Sequence, residues 1–341
     1  MKKLVTSFLF VLAGLFAVDR LGGMAMWWVN QHTHDVTGPK IRYLVNDVNE
    51  DVLMMGTSRC NLHYVPSIIR DTLGLSVYNG GIDASDNIYA HYLMLCHVLS
   101  KHKPKVICLE LRTNDYAVSA APFRTVSFFA PYFGINEEAD SVFRLAGTYW
   151  RYKISHLYRY NAKAVSNIAG LFIDRQQEGD HGYIPLPQPA YFPDSLEKEE
   201  TPTEVDSMKL KYVQRFISLC HTNGIKLVFV ISPMFTKVNA GHYDALKTIA
   251  KNNHVPFLDY HTKGLYHDHP EYFKDQEHLW DKGARLFSSV FAGDLNQTLH
   301  REMKIGDSDI EMKHLTPYRQ NETSLSPVRG KGMGYGNGII K

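Results

Sequence analysis

The sequence predicts an α/β fold: a mostly parallel sheet flanked by helices in a flavodoxin-like three-layer sandwich, with an aromatic-rich helical insertion. Five short apolar runs recur along the chain, each bounded by glycine, proline or polar residues, as buried parallel strands are. Helical stretches lie between them, which makes βαβ units and puts helices on both faces of the sheet. The chain has 341 residues, 44% of them hydrophobic. That is enough for a large core and excludes a disordered, collagen-like or disulfide-stapled chain.

In order, Asp51-Val-Leu-Met-Met-Gly56 is the first strand, ending in glycine, and a helical stretch follows near Val65 to Leu73. Ser76 to Asn79 is the second strand, closed by Gly80-Gly81. Asp86 to Lys101 has helical periodicity, with Ile88, Tyr92, Leu95 and Leu99 on one face. Lys105 to Leu111 is the third strand, introduced by Pro104. Val205 to His221 is helical and stops at Asn223-Gly224, before the apolar strand Ile225 to Ile231. Tyr243 to Lys251 is helical, Val255 to Asp259 is the fifth strand, and Leu279 to Leu295 closes the domain as an amphipathic helix with Leu279, Leu286, Phe287, Val290 and Phe291 inward.

Two regions break this rhythm. Tyr116 to Phe192 carries 16 aromatics in 77 residues, against 12% for the whole chain. Ser141 to Ile173 within it holds Arg144, Arg151, Lys153, Arg159 and Lys163 and no acidic residue. This reads as a helical cap whose aromatics pack inward; its basic-aromatic character also suits a membrane surface or an anionic polymer. Pro185, Pro187, Pro189 and Pro193 mark an extended connector. The polar tail from about His300 ends in a glycine-rich run and reads as disordered. The expected organisation is an N-terminal segment over 1–30, an α/β domain over 45–299 with its insertion or cap at 116–200, and a tail over 300–341.

The N-terminus opens Met1-Lys2-Lys3 and runs apolar from Leu4 to Val18, a basic stretch then an apolar one, as in an export signal. Those residues give a helix of roughly 22 Å, short of the ~30 Å hydrocarbon core. Gly23-Met24-Ala25 offers a cleavage site, in which case the protein is secreted. Leu21 to Val29 continues apolar with Trp27-Trp28, which suits an uncleaved anchor with its aromatics at the interface. The expectation carried forward is a membrane anchor with the main domain extracytoplasmic, periplasmic or at the cell surface.

Lys+Arg number 37 and Asp+Glu 35, a formal charge of +2, too weak a basic excess for a nucleic-acid surface. The four cysteines (Cys60, Cys96, Cys108, Cys220) form no CxxC pair, so neither a zinc ribbon nor a thioredoxin motif is present.

In an open parallel sheet, ligands bind beyond the carboxyl ends of the strands. Gly56-Thr57-Ser58-Arg59 follows the first strand, Asn79-Gly80-Gly81 the second and Arg112-Thr113-Asn114-Asp115 the third, while Asp275-Gln276-Glu277-His278 precedes the last helix. A serine nucleophile needs a base, the base an orienting carboxylate, and the oxyanion hydrogen-bond donors. Asp275 and His278, three apart, would share a face of a helical turn, so the carboxylate could hold Nδ1 and leave Nε2 for Ser58. The N–H groups of Ser58 and Gly81 (or Gly80) and the Asn114 amide are candidate oxyanion donors. Arg59 and Arg112 could bind an anionic acceptor.

These four blocks, in this order, resemble the SGNH/GDSL hydrolase superfamily and, within it, the cell-envelope acyltransferase-like (DltD-like) branch. The likeness covers roughly residues 48 to 295. Gly56-Thr57-Ser58 is similar to the nucleophile block, Asn79-Gly80-Gly81 to the glycine block, Arg112 to Asp115 to three of the four positions of Gly-x-Asn-Asp, and Asp275-x-x-His278 to the last block. Arg112 replaces the glycine of the third block, and Cys60 stands where a G-x-S-x-G elbow has its second glycine. The resemblance implies a serine esterase or O-acyltransferase that needs no cofactor. Its partners would be an acylated polysaccharide or another hydroxyl-bearing envelope polymer, with a membrane acyltransferase beside it. A cap over the strand ends would shield the acyl-enzyme from water and favour transfer.

The rivals are an inactive envelope scaffold or glycan-binding protein with the same fold, and a metal site built on His261, His267 and His269 with Asp259 and Asp268 nearby. The sequence holds no HExxH.

Overall fold

The structure is a computed structural model that describes residues 1–302 except 86, 174–178 and 203. All five expected strands form: β1 (Val52–Met55), β2 (Val77–Asn79), β3 (Val106–Glu110), β5 (Lys226–Ile231) and β7 (Phe257–Asp259). They make one parallel sheet in the order β2-β1-β3-β5-β7. The chain steps outward one way from β1 to β2 and the other way from β3 onward. The crevice at the carboxyl ends of β1 and β3 is therefore the topological switch point, where such sheets bind ligands. A small parallel pair, β4 (Glu197–Lys198) with β6 (Thr236–Lys237), was not anticipated; two residues are too few to leave a periodic signal.

The helices are α1 (Lys2–His32), α2 (Gly38–Asn46), α3 (Ser58–His63), α4 (Pro66–Leu73), α5 (Ile88–Leu99), α6 (Glu137–Leu145), α7 (Tyr149–Ile154), α8 (Ala164–Ala169), α9 (Ser207–Thr222), α10 (Asp244–Asn252) and α11 (Asp281–Glu302). Alternate strand residues (Leu53 and Met55, Ile107 and Leu109, Leu227 and Phe229) enter one core with α2, α5, α9 and α10. On α11 the inward residues are Phe287 and Phe291 with Ala284, Ser288 and Leu295, while Leu286 and Val290 are only half-buried.

α5 differs from its expected one-sided pattern. Every residue from Ile88 to Val98 is buried, because α2, α6, α9 and the 3-10 segment Arg124–Tyr132 all pack against it. The helical part of the insertion packs on α5 and α1, and its aromatics turn inward on one another: Phe133, Phe143, Tyr149 and Tyr152 stack edge to face. The part that reaches the strand ends is the extended connector: Ile184 N–H bonds Asn61 O (3.2 Å), and Ser195 O accepts from Gln276 Nε2 (3.0 Å).

α1 is a single 31-residue helix. From Leu4 to Val18 none of its residues is buried, and it is long and apolar enough to cross a membrane. Residues 1–296 form one compact unit. The expected disordered tail falls almost wholly outside the described residues, and α11 continues helical through 302.

Candidate active site

Ser58 is the first residue of α3, at the sharp exit from β1. Gly56 makes that exit feasible. A Cβ there would lie 2.7 Å from Cys60 Cβ and 2.8 Å from Glu110 Cβ, closer than any side chain allows. Behind α3, buried Asn79 donates to Cys60 O (2.7 Å) and Tyr64 O (2.8 Å). Lys40 Nζ bonds the Asn61 side chain, Gly81 O (2.8 Å) and Gly182 O (2.6 Å). Burial pushes the Lys40 ammonium down to about 8. The turn that presents Ser58 is thus fixed from three sides.

Ser58 Oγ lies 2.9 Å from His278 Nε2. His278 Nδ1 lies 2.9 Å from Asp275 Oδ1 and 3.1 Å from Oδ2. A carboxylate can only accept, so Nδ1 carries the proton and Nε2 is left as acceptor for the serine hydroxyl. Burial alone would raise the Asp275 carboxyl. The hydrogen bond and charge of His278, with two backbone N–H bonds, outweigh this and hold it below its usual range.

Asp275 and His278 do not sit in a helical turn as the spacing suggested. They occupy a bend before α11. Asp275 Oδ1 accepts the N–H groups of Glu277 and His278, both at 2.9 Å, and so folds the carboxylate back under the ring. Lys274 N–H to His278 O (2.7 Å) and the bridge between Phe273 and Leu279 close the bend.

A buried relay stands behind this bend. Leu279 N–H donates to His63 Nε2 (3.0 Å), which leaves the His63 proton on Nδ1, donated to Ser232 Oγ (2.9 Å). Ser232 Oγ donates in turn to Glu110 Oε1 (2.9 Å), which Arg59 Nε approaches to 3.4 Å, while the Tyr64 hydroxyl donates to Glu110 Oε2. Burial, reinforced by the charge His278 gains on taking a proton and by the Arg59 guanidinium, pushes His63 well below its usual range and keeps it neutral. Sequence reasoning did not mark His63, Ser232 or Lys40. The one visible signal was Glu110, a charge ending the otherwise apolar strand Val106-Ile-Cys-Leu.

Other expected site residues are placed differently. Gly81 N–H, expected as an oxyanion donor, donates to Asn79 Oδ1 (3.0 Å), and Gly80 N–H to Met54 O (2.8 Å). Both are already engaged, Gly80 N–H tying the turn to β1 and Gly81 N–H closing the turn on the last residue of β2, so the glycine-turn donor is withdrawn. Arg59 cannot meet a substrate anion: it is 1% exposed and bonded to Leu111 O (2.6 Å) as well as facing Glu110. Arg112 is half-buried and pairs with Glu277 at 2.8 Å, next to His278. Asn114 is exposed on the 3-10 turn after β3. That turn is held by Asp115 Oδ2 on Arg112 N–H (2.7 Å) and by Lys209 Nζ on Asn114 O (2.8 Å). Of the histidines weighed as metal ligands, His261 bonds Tyr243 and Thr236, and His269 pairs with Glu271 at 3.0 Å.

No family model and no curated protein matches the chain. Among solved structures it is similar to a Bacteroides fragilis NCTC 9343 protein provisionally named an acylhydrolase (14% identity, TM-score 0.37, covering 74% of this chain and 89% of that one). It is similar also to an acetyl xylan esterase (13%, TM-score 0.35, 73% and 100%). A third is a GDSL-like lipase from Bacteroides thetaiotaomicron VPI-5482 (13%, TM-score 0.34, 74% and 88%).

Proposed function

We propose that the protein is a serine esterase or O-acyltransferase of the SGNH type, held at a membrane by α1 with its α/β domain outside the cytoplasm. Its substrate would be an acylated envelope glycan or a similar hydroxyl-bearing polymer. The observation that carries this reading is the line Ser58 Oγ, His278, Asp275, with both hydrogen bonds at 2.9 Å, at the switch point of the sheet. A serine hydroxyl is a weak nucleophile unless a base takes its proton, and the base works only if its other nitrogen is held.

In the proposed reaction Ser58 Oγ attacks the acyl carbonyl as His278 Nε2 removes its proton. Asp275 keeps the imidazole in the required tautomer and stabilises the imidazolium. The tetrahedral oxyanion is met by the Ser58 N–H and the Asn114 side chain. His278 then returns the proton to the departing alcohol, leaving an acyl-Ser58 ester. Water or an acceptor hydroxyl, deprotonated by His278, takes the acyl group and restores the serine. No cofactor enters these steps. The Arg112–Glu277 pair, joined at 2.8 Å, stands one residue from His278 in the chain and offers charge to an acceptor.

The test is intact-mass analysis after a fluorophosphonate. One adduct is expected, at Ser58, and none in Ser58→Ala. A folded protein that takes no label turns the reading toward an inactive scaffold or glycan-binding protein.

A further inference from the structure

The uncharged run of α1, Leu4 to Val18, is short for a span, although the helix as a whole is long enough. A bilayer's hydrocarbon core of ~30 Å needs about 20 helical residues. Counted from Leu4, that many residues reach Gly23, so Asp19 and Arg20 would fall inside the outer edge of the core. A charge there is costly unless it is paired and hydrogen-bonded. The structure meets that condition with the insertion. Asp19 pairs with Arg20 at 2.7 Å and accepts from Ser155 Oγ, His156 N–H (2.9 Å) and Leu157 N–H (3.3 Å), while Arg20 donates to Ile154 O (3.1 Å). Gly23 lets His156 sit directly on the helix: a Cβ there would be 2.5 Å from His156 Cβ. Wherever Asp19 goes, residues 154–157 go with it.

What that segment shows to the outside fits such a place. Trp150 and Ile154 lie four apart on α7, 66% and 68% exposed, and share one face. Leu157 is exposed beside them, as are Leu21, Met24 and Trp28 on α1. Arg151 and Lys153 are exposed on α7, with the Lys153 ammonium over the Trp150 ring at 5.2 Å. Exposed tryptophans with flanking cations are what a headgroup layer accepts. No acidic residue occurs from Ser141 to Ile173 to offset the cations.

We propose that α7 and the turn after it, residues 149–157, form an interfacial foot that rests in the headgroup layer of an anionic bilayer beside α1 and fixes the orientation of the catalytic domain above it. This rests on the anchoring reading. The foot lets a short apolar run serve as a span, because the charged level of α1 arrives at the interface already covered.

The test uses the full chain in nanodiscs with a nitroxide on an introduced cysteine. The four native cysteines are buried and leave the label selective. Labels at Leu12→Cys, Trp150→Cys and, as an independent second probe, Ile154→Cys are compared with Lys198→Cys, an exposed residue of β4. Positions 12, 150 and 154 should each collide more with oxygen than with a water-soluble nickel chelate, and position 198 the reverse. Adding phosphatidylglycerol to phosphatidylcholine should raise the ratio at 150 severalfold, and Arg151→Glu with Lys153→Glu should remove that rise. Positions 150 and 154 behaving like 198, while 12 lies in hydrocarbon, overturns the foot and leaves the anchor standing. Position 12 behaving like 198 overturns the anchor and the foot together. No response to the anionic lipid at 150 overturns the charge-guided contact. None of these readouts depends on whether Ser58 is catalytic.

Discussion

Ser58 and His278 are 220 positions apart in the chain and 2.9 Å apart in space, and the residues around them divide by what each change should cost. Ser58→Ala removes a half-buried hydroxyl and should abolish turnover while leaving the unfolding midpoint unchanged. Asn114 is exposed and keeps its turn through backbone bonds, so Asn114→Ala should fold normally. If its amide meets the oxyanion, kcat should fall about 10²–10³-fold, equivalent to ~2.7–4 kcal/mol; steady-state kinetics that match the parent remove it from the mechanism. Ser232→Ala acts elsewhere. It leaves the His63 Nδ1–H without its acceptor in a buried site and should lower stability by about 1–3 kcal/mol in urea unfolding. Asp115 gives a pH signature. Burial pushes its carboxyl up to about 7, against the Arg112 N–H bond and nearby cations. The folded protein therefore keeps a proton that the unfolded chain releases near pH ~4. Stability from this group falls as pH rises from about 4 to about 7, at up to about 1.4 kcal/mol per pH unit, and levels off above. Asp115→Asn, which keeps an acceptor for Arg112 N–H, should flatten that slope in a pH series of unfolding midpoints; an unchanged slope refutes the assignment.

At the scale of elements, the glycine turn after β2 shows why position matters more than motif. Gly81 supplies no free donor, but its lack of a side chain decides how closely α3 packs on β2. A Cβ would sit 2.3 Å from Asn61 N and 2.8 Å from Asn61 Cα, both backbone atoms that cannot rotate away. Gly81→Ala should push α3 outward, cost at least about 1–3 kcal/mol as overpacking does, and lower the rate of Ser58 labelling even in the folded fraction. Normal labelling and stability would show that α3 tolerates the shift. The same elements explain what was legible. The five strands announce themselves because parallel strands buried on both faces must be continuous apolar runs such as Leu227 to Ile231. The bend at Asp275 was read in the right place with the wrong geometry, because an i, i+3 spacing fits a helical turn and a side-chain-capped bend equally well. The relay through His63 and Ser232 was not legible. It joins α3, the end of β5 and the start of α11, and nothing local in any of the three marks a partner in the others.

For the whole molecule, the proposed reaction poses the question of where the acyl group goes. The aromatic insertion suggested a cap that keeps water from the acyl-enzyme, but its helices pack on α5 and α1. The Asp275 side chain is 54% exposed and that of His278 22% exposed. Water therefore reaches His278, and in the proposed reaction both outcomes share one intermediate, so partition would be set by acceptor occupancy rather than by exclusion. With an activated acyl ester alone, the protein should release free acid at a steady rate. Adding a hydroxyl-bearing envelope glycan should divert product to acylated saccharide in proportion to acceptor, without slowing donor consumption, since acylation of Ser58 precedes the branch. Mass spectrometry of both products, over a range of acceptor and with Ser58→Ala as blank, measures the ratio. Free acid as the only product at saturating acceptor would make the protein an esterase; acylated saccharide with negligible acid at low acceptor would mean that water is kept out by something beyond the fold described, such as a membrane partner closing over the open strand ends.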